Sequence, residues 1–175
     1  MAVRIEPLLR MHRPLLKAFR NQHASLTEYL QRFALRHAEK DLLARTYLAI
    51  DDVDGEPRVA GYFSLAAVSV ERTSVSSLPA LERLPRFPIP GVLLARLAVD
   101  ERVQGHGLGR YLFEEALGRT LQLARTGPIA LRLFVTDAID EPAANFYARF
   151  GLVRLLDAFP CRMVLDLQPL LPEAG

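Results

Sequence analysis

Cysteine is almost absent from the 175 residues. Cys161 stands alone, so no internal disulfide can form. The four histidines (His12, His23, His37, His106) show no ligand spacing with it or with one another, which speaks against a metal centre. No apolar run reaches the ~18 residues a membrane helix needs, and the start, Met-Ala-Val-Arg-Ile-Glu-Pro, lacks the apolar stretch of a signal peptide. Repeats, low-complexity tracts and linker-like segments are missing as well. The expectation is one soluble, cytoplasmic domain of α/β type. Half of the residues are hydrophobic and 24% charged, so a sizeable core forms without staples and disorder is excluded. Net charge is +2, but residues 1–50 carry +5, against −2 for 51–100 and −1 for 101–175. Positive charge is therefore gathered in the first third, where a polyanion could bind or a helix face be solvated.

Periodicity predicts a mixed order of elements: a strand at 3–8, a short helix at 14–20, and a helix opened by a capping box at Ser25-Leu26-Thr27-Glu28. In that helix Leu26, Tyr29, Leu30 and Phe33 share an inward face, and Arg32, Arg36 and Lys40 fall four apart on another. Strands follow at 46–50, 59–70 and 92–99, with a turn at 52–55 and a Pro-rich loop at 78–90 that carries a helical turn at 80–84. A long helix over 107–125 stops at Gly127-Pro128, and a strand is expected at 130–135. Asp140-Glu141-Pro142 opens a last helix, with Asp140 as N-cap, which ends at Gly151. Strands at 152–155 and 162–167 close the chain. This is not the strict alternation of a doubly wound fold.

Chemistry concentrates at Leu97-Ala98-Val99-Asp100-Glu101-Arg102-Val103-Gln104-Gly105-His106-Gly107-Leu108-Gly109. An apolar strand runs into a glycine-rich loop and then a helix. Glycines at alternate positions expose successive N–H groups at a helix N-terminus, the makings of a phosphate cradle. A P-loop is excluded because Lys-Ser/Thr is missing, and a dinucleotide fingerprint because its third glycine would fall on Arg110 or Leu112.

Gln104, Gly107 and Gly109 fit Gln/Arg-x-x-Gly-x-Gly/Ala, which resembles the acetyl-coenzyme A signature of the GNAT N-acetyltransferases. A second stretch, Asp140 to Leu152, resembles that family's closing motif, a short helix ending in Tyr, three residues and Gly-Phe; Leu152 replaces the Phe. The resemblance implies a single GNAT domain over 1–175 (core 3–168), with a splayed mixed sheet of six to seven strands flanked by helices. It also implies that pantetheine lies between the strands at 92–99 and 130–136. Acetyl-CoA would be the acyl donor, with no metal. It would be held by Leu97, Ala98, Val99, Gln104, Gly105, His106, Gly107, Leu108, Gly109 and Asp140. Tyr147 matches the tyrosine that protonates the departing sulfur, although its place on an amphipathic helix also suits a core tyrosine. His106 reads as a solvent-facing filler.

The strand before the loop carries no carboxylate; its one charge is Arg96. Glu71, Asp137 or a water chain remain as bases. At pH 7 a lysine amine is free in roughly four of ten thousand molecules and an α-amine in roughly one of six, so a site without an evident base suits an α-amine.

Nearly the whole chain further resembles the GNAT toxins of toxin–antitoxin pairs, which acetylate the α-amine of aminoacyl-tRNA. Phe19, Leu26, Tyr29 and Leu30 fit their N-terminal pattern, Gly61-Tyr62-Phe63-Ser64-Leu65 their central strand, and Leu94 to Asp100 the strand before the loop. Arg162-Met163-Val164-Leu165 fits their closing strand. Two departures fall in the segment expected near the acceptor: Asn21-Gln22 replaces Cys/Ser-Gly, and Thr27 replaces an acidic residue. The resemblance implies aminoacyl-tRNA as substrate, a ribbon–helix–helix antitoxin and a homodimer, with no membrane partner. Arg32, Arg36, Lys40 and Arg96 would contact the substrate, Arg96 alternatively pairing with a helix carboxylate. A small amine or protein N-terminus as acceptor is the alternative; a non-catalytic acyl-CoA-binding module is the third reading.

Overall fold

The structure is a computed structural model and describes residues 2–76 and 78–173. In chain order it contains β1 (Val3–Pro7), α1 (Arg13–Leu16), α2 (Ala24–Glu28), α3 (Ala34–Glu39), β2 (Arg45–Val53), β3 (Glu56–Val70) and α4 (Pro79–Glu82). There follow β4 (Ile89–Val99), α5 (Leu108–Thr126), β5 (Leu133–Ala138), α6 (Glu141–Ala148), β6 (Val153–Arg154) and β7 (Cys161–Asp166). Seven strands form one mixed sheet in the order β1-β2-β3-β4-β5-β7-β6. The chain divides into two compact units: Met1–Ala66 with Ala95–Ala116, and Ala67–Leu94 with Leu117–Gly175. β3, β4 and α5 contribute residues to both.

In the first unit β1, β2 and β3 form an antiparallel meander, with an irregularity between Ala49 and Ile50. Leu16, Phe19, Leu26, Tyr29, Leu30, Leu48, Ile50, Tyr62 and Ala98 share its core. The expected helix from Ser25 is there, but with two corrections. It starts at Ala24 with His23 as N-cap, and no side-chain cap bond forms, so Ser25 lies inside the first turn. The side chain of Asn21 instead accepts the His23 N–H at 2.9 Å, and Thr27 Oγ1 accepts the Asn21 N–H at 2.9 Å. These bonds shape the turn that leads into the helix, ahead of Ser25. The second correction is a π-helical turn at Tyr29–Phe33 between α2 and α3. Its extra residue moves the inward position from Phe33 to Ala34, so Ala34 is fully buried and Phe33 is 42% exposed.

In the second unit β4 and β5 pair in parallel from Gly91↔Leu133 to Leu94↔Thr136, a ladder of four residues. β5 pairs with β7 antiparallel, and β6 with β7. Val70, Val75, Leu81, Ile89, Leu133, Val135 and Val164 form the core. Gly91 is required by close approach: a Cβ there would lie 2.5 Å from the Leu133 carbonyl oxygen. The strand expected at 130–135 lies at 133–138 instead. Thr136 and Asp137 find cross-strand partners in Leu94 and Arg162, so the strand runs through them. The Pro-rich loop is shorter than expected, since Ile89 and Pro90 already belong to β4.

Candidate active site

In the first unit the end of β4 leads into the glycine-rich loop. Asp100 governs this junction. It is 1% exposed and caps the 3-10 turn that follows, accepting the Arg102 N–H at 3.0 Å and two guanidinium bonds from Arg102 at 2.7 and 2.8 Å. Oδ2, which takes the second of those guanidinium bonds, also accepts the Arg20 N–H at 3.0 Å. Burial alone would raise the carboxyl; the bonds from Arg102 and Arg20 outweigh it and hold Asp100 below the usual carboxylate range. Arg102 also donates to the Ala18 carbonyl, and the Glu101 N–H to the Arg20 carbonyl. The loop is thereby fastened to residues 18–20.

The Val99 carbonyl accepts bonds from Asn21 Nδ2 at 2.8 Å and Gln104 Nε2 at 3.4 Å. The substitution at position 21 thus supplies a tether to the last residue of β4. Gly105 and Gly107 have φ of +82° and +80°, which side-chain-bearing residues rarely adopt. Buried Val103 and Leu108 anchor the loop from within. The Tyr111 N–H donates to the Gly107 carbonyl, so the N–H groups of Leu108, Gly109 and Arg110 precede the first bond of the 19-residue α5. These donors and the helix dipole fit an anion. A cavity of about 320 Å³ opens beside them, lined by Ala2, Val3, His106, Gly107, Leu108 and Tyr111. The His106 ring is solvent-facing, with Nδ1 at 3.3 Å from the Val103 carbonyl oxygen.

Arg96 is exposed and forms no ion pair with a helix carboxylate among the described residues. Its guanidinium stacks 4.8 Å over the Tyr29 ring, and Nη1 donates to the Ala95 carbonyl. The Tyr29 hydroxyl is buried with no hydrogen-bond partner among the described residues. Neighbouring Tyr62 donates to the Leu26 carbonyl at 2.6 Å, and burial raises its pKa well above the ordinary phenol value. Arg32, Arg36 and Lys40 are exposed. Arg32 pairs with Glu28 at 3.2 Å and Arg36 with Asp41 at 2.9 Å; exposed pairs of this kind are easily exchanged for other anions.

In the second unit Asp140 caps α6, accepting the Ala143 N–H at 2.9 Å, with Pro142 in the first turn. Glu141 pairs with Arg154. Tyr147 is 7% exposed, and its ring meets Phe146 edge-on at 5.2 Å. Burial pushes its hydroxyl up to about 12, opposed by a hydrogen bond with the Thr136 side chain. Asp137, a candidate base, is bound bidentately by Arg162 at 2.8 and 2.9 Å. Glu71 is exposed at the start of a 3-10 turn.

A protein-family model described as an acetyltransferase (GNAT) domain matches residues 44–153, which spans β4, the glycine loop, α5, β5 and α6. The chain belongs to the GNAT acetyltransferases. This GNAT enzyme is 34% identical over 134 residues to a tRNA-acetylating toxin of Mycobacterium tuberculosis (strain ATCC 25618 / H37Rv), covering 76% of this chain and 75% of that protein. Among solved structures, a tyrosine-to-phenylalanine mutant of KacT superposes with a TM-score of 0.86 at 23% identity, and AtaT complexed with acetyl-methionyl-tRNAfMet with 0.83 at 22%. Both matches cover 97% of each chain. At these identities the likeness concerns the fold, and it is that of the GNAT toxins.

Of the residues singled out in the GNAT motifs, Leu97 to Val99 and Gln104 to Gly109 share the first unit with Arg32, Arg36, Lys40 and Arg96, while Asp140 and Tyr147 lie in the second. Asn21, Asp100 and Arg102 lie within the motifs read from sequence, which assign them no structural role, and Thr136 lies outside those motifs. The one available signal was a polar residue inside or beside an apolar strand. Among the described residues no three His, Cys, Asp or Glu gather as a metal site, and no helix is long and apolar enough to cross a membrane.

Proposed function

We propose that the protein is an acetyl-CoA-dependent N-acetyltransferase that acetylates the α-amine of aminoacyl-tRNA, acting as a cytoplasmic toxin. The observation that carries the acceptor is the 34% identity, over three quarters of both chains, to a tRNA-acetylating toxin. Support comes from AtaT, which has been solved with acetyl-methionyl-tRNAfMet and, with AtaR, bound to AcCoA. This reading treats the whole chain as one GNAT domain.

Acetyl-CoA supplies an acetyl group activated as a thioester, and its transfer to an amine releases a thiolate that needs a proton. On this reading the N–H groups around Gly107 to Gly109 bind the pyrophosphate, with Gln104, Gly105, His106 and Leu108 shaping the loop. Backbone groups of Leu97, Ala98 and Val99 orient the pantetheine and thioester carbonyl, and Asp140 fixes the start of α6. Tyr147 holds a proton at Oη: with its pKa pushed up to about 12, it stays protonated throughout the physiological range. No carboxylate lies on β4, Asp137 is occupied by Arg162 and Glu71 is exposed, so the site favours an acceptor of which a sizeable fraction is already free at neutral pH. An α-amine satisfies this where a lysine does not. Arg32, Arg36, Lys40 and Arg96 contact the tRNA phosphates or the acceptor end.

The GNAT relatives also indicate partners. AtaT has been solved with the C-terminus of its antitoxin AtaR, and KacTA with DNA. For this chain we propose an antitoxin of the ribbon–helix–helix kind and a homodimer. The function is tested by incubating the protein with acetyl-CoA and charged total tRNA, then seeking N-acetylated aminoacyl ends by mass spectrometry. Acetylated ends are expected from charged tRNA and not from free amino acids. Acetylation of free amino acids or polyamines alone would replace this reading with the small-amine one.

A further inference from the structure

Phe33 is turned outward by the backbone itself. At regular helical spacing it would join Leu26, Tyr29 and Leu30 on the inward face. The π turn at Tyr29–Phe33 instead puts Ala34 in the core and leaves the Phe33 ring 42% exposed. Such turns are rare and frequently lie at functional sites. A lone exposed phenylalanine would need no explanation, but this ring is the outer end of a row. Phe33 lies 6.1 Å from the half-buried His37 ring, and His37 lies 5.6 Å from Tyr29. Tyr29 in turn stacks on the fully buried Tyr62 at 6.3 Å. The row is thus fixed in the core at one end and open to water at the other. Arginines accompany it. Exposed Arg32 and Arg36 flank Phe33 in the helix, and the carboxylates beside them, Glu28 and Asp41, are each engaged by one of the two. Arg96 lies 4.8 Å over the Tyr29 ring and has no carboxylate partner among the described residues.

We propose that Phe33 is a stacking platform for an unpaired nucleotide at the acceptor end of tRNA, with Arg96, held on Tyr29, as the cation for a neighbouring phosphate. The proposal rests on the reading that aminoacyl-tRNA is the acceptor. The amino acid of that substrate is carried on an unpaired 3′ end, whose bases are free to stack on aromatic rings. An exposed ring set among guanidinium groups fits such a strand, with the ring taking the base and the cations its backbone. A protein partner would fit less well, because the centre of a protein interface is depleted of charge. Every base has a π face, so this contact holds the end of the tRNA without reading its sequence.

The test measures binding of an uncharged tRNA transcript, intact or lacking its unpaired 3′ nucleotides, over a range of salt. Phe33→Leu keeps an apolar side chain and removes the ring, whereas Phe33→Tyr keeps the ring. Phe33→Leu should bind intact tRNA about tenfold more weakly, the scale of one base–ring stack, and truncated tRNA as wild type does. Phe33→Tyr should stay within about a factor of two of wild type on both. The salt slope should be unchanged in Phe33→Leu and should fall by about one in Arg96→Gln on intact tRNA. Wild-type affinity of Phe33→Leu for intact tRNA would overturn the inference. So would an equal loss on both RNAs, since the ring would then not meet the unpaired end. Loss of self-association in Phe33→Leu by sedimentation, with tRNA binding intact, would assign the ring to a contact between copies instead. If the wild-type protein neither binds nor acetylates charged tRNA, the proposed function falls and this inference with it. If it acetylates charged tRNA and only Phe33→Leu is silent, the function stands and this inference alone falls.

Discussion

The loop at the end of β4 and the tyrosine of α6 lie in opposite electrostatic surroundings. The loop in the first unit is open and polar: Gln104, Gly105, His106 and Gly107 are all exposed. Its shape is held from beneath by one buried carboxylate, Asp100, whose ties reach Arg20 and Arg102. Tyr147 in the second unit is buried beside Phe146, with Thr136 as a polar partner. A group that must bind an anion needs preformed backbone donors facing water. A group that must keep a proton needs to be taken out of water. If the loop and Tyr147 act as proposed, damage to the loop is read in binding and stability, and damage at Tyr147 in turnover.

The largest loss of stability is expected at the buried anchor. Asp100→Asn keeps the size but removes the charge opposite Arg102, and should cost about 2–3 kcal/mol by urea unfolding at pH 7. The pH dependence has a definite sign. A carboxyl held below its unfolded value contributes stability above about pH 4, and that stability is lost as pH falls through the folded value. The gap between wild type and Asp100→Asn should therefore close in acid; a gap constant from pH 7 to pH 3 would break the assignment.

A smaller effect is expected at the rim of the loop. A Cβ on Gly107 would meet nothing within 4 Å, so its cost is the positive φ alone, about 1–2 kcal/mol. Gly107→Ala should weaken acetyl-CoA binding about tenfold by calorimetry, equivalent to ~1.4 kcal/mol, while kcat at saturating acetyl-CoA stays near wild type. A variant that binds normally but turns over slowly would blur the division between the two regions. The smallest stability effect belongs to Arg32, Arg36 and Lys40: replacing all three with alanine should change unfolding free energy by only about 0.5 kcal/mol. Binding of charged tRNA should nevertheless weaken and become less salt-dependent, the slope falling by about one for each phosphate left without its cation.

Local motifs made much of this legible in sequence. Gly105 and Gly107 dictate their own backbone, Asp140 caps its own helix, and Gly151 ends it with φ of +89°. What escaped the sequence depends on distant partners. Nothing local says that Asn21 will reach the Val99 carbonyl, 78 residues away, or that Thr136 will find Leu94, 42 residues away. The same holds for the π turn, where a single extra residue exchanged Phe33 for Ala34. Thr136 and Asp137, beyond the expected end of the strand at 135, belong to it because Leu94 and Arg162 are in place as partners.

The most direct test of the central claim is the rate of acetyl transfer to charged tRNA by Tyr147→Phe at saturating acetyl-CoA, with acetyl-CoA affinity measured on the same protein. Removing the buried proton donor should lower kcat about a hundredfold, the lower end of what a positioned acid contributes, and leave the affinity within a factor of about two. Transfer at the wild-type rate, or a loss explained entirely by weaker acetyl-CoA binding, would contradict the account.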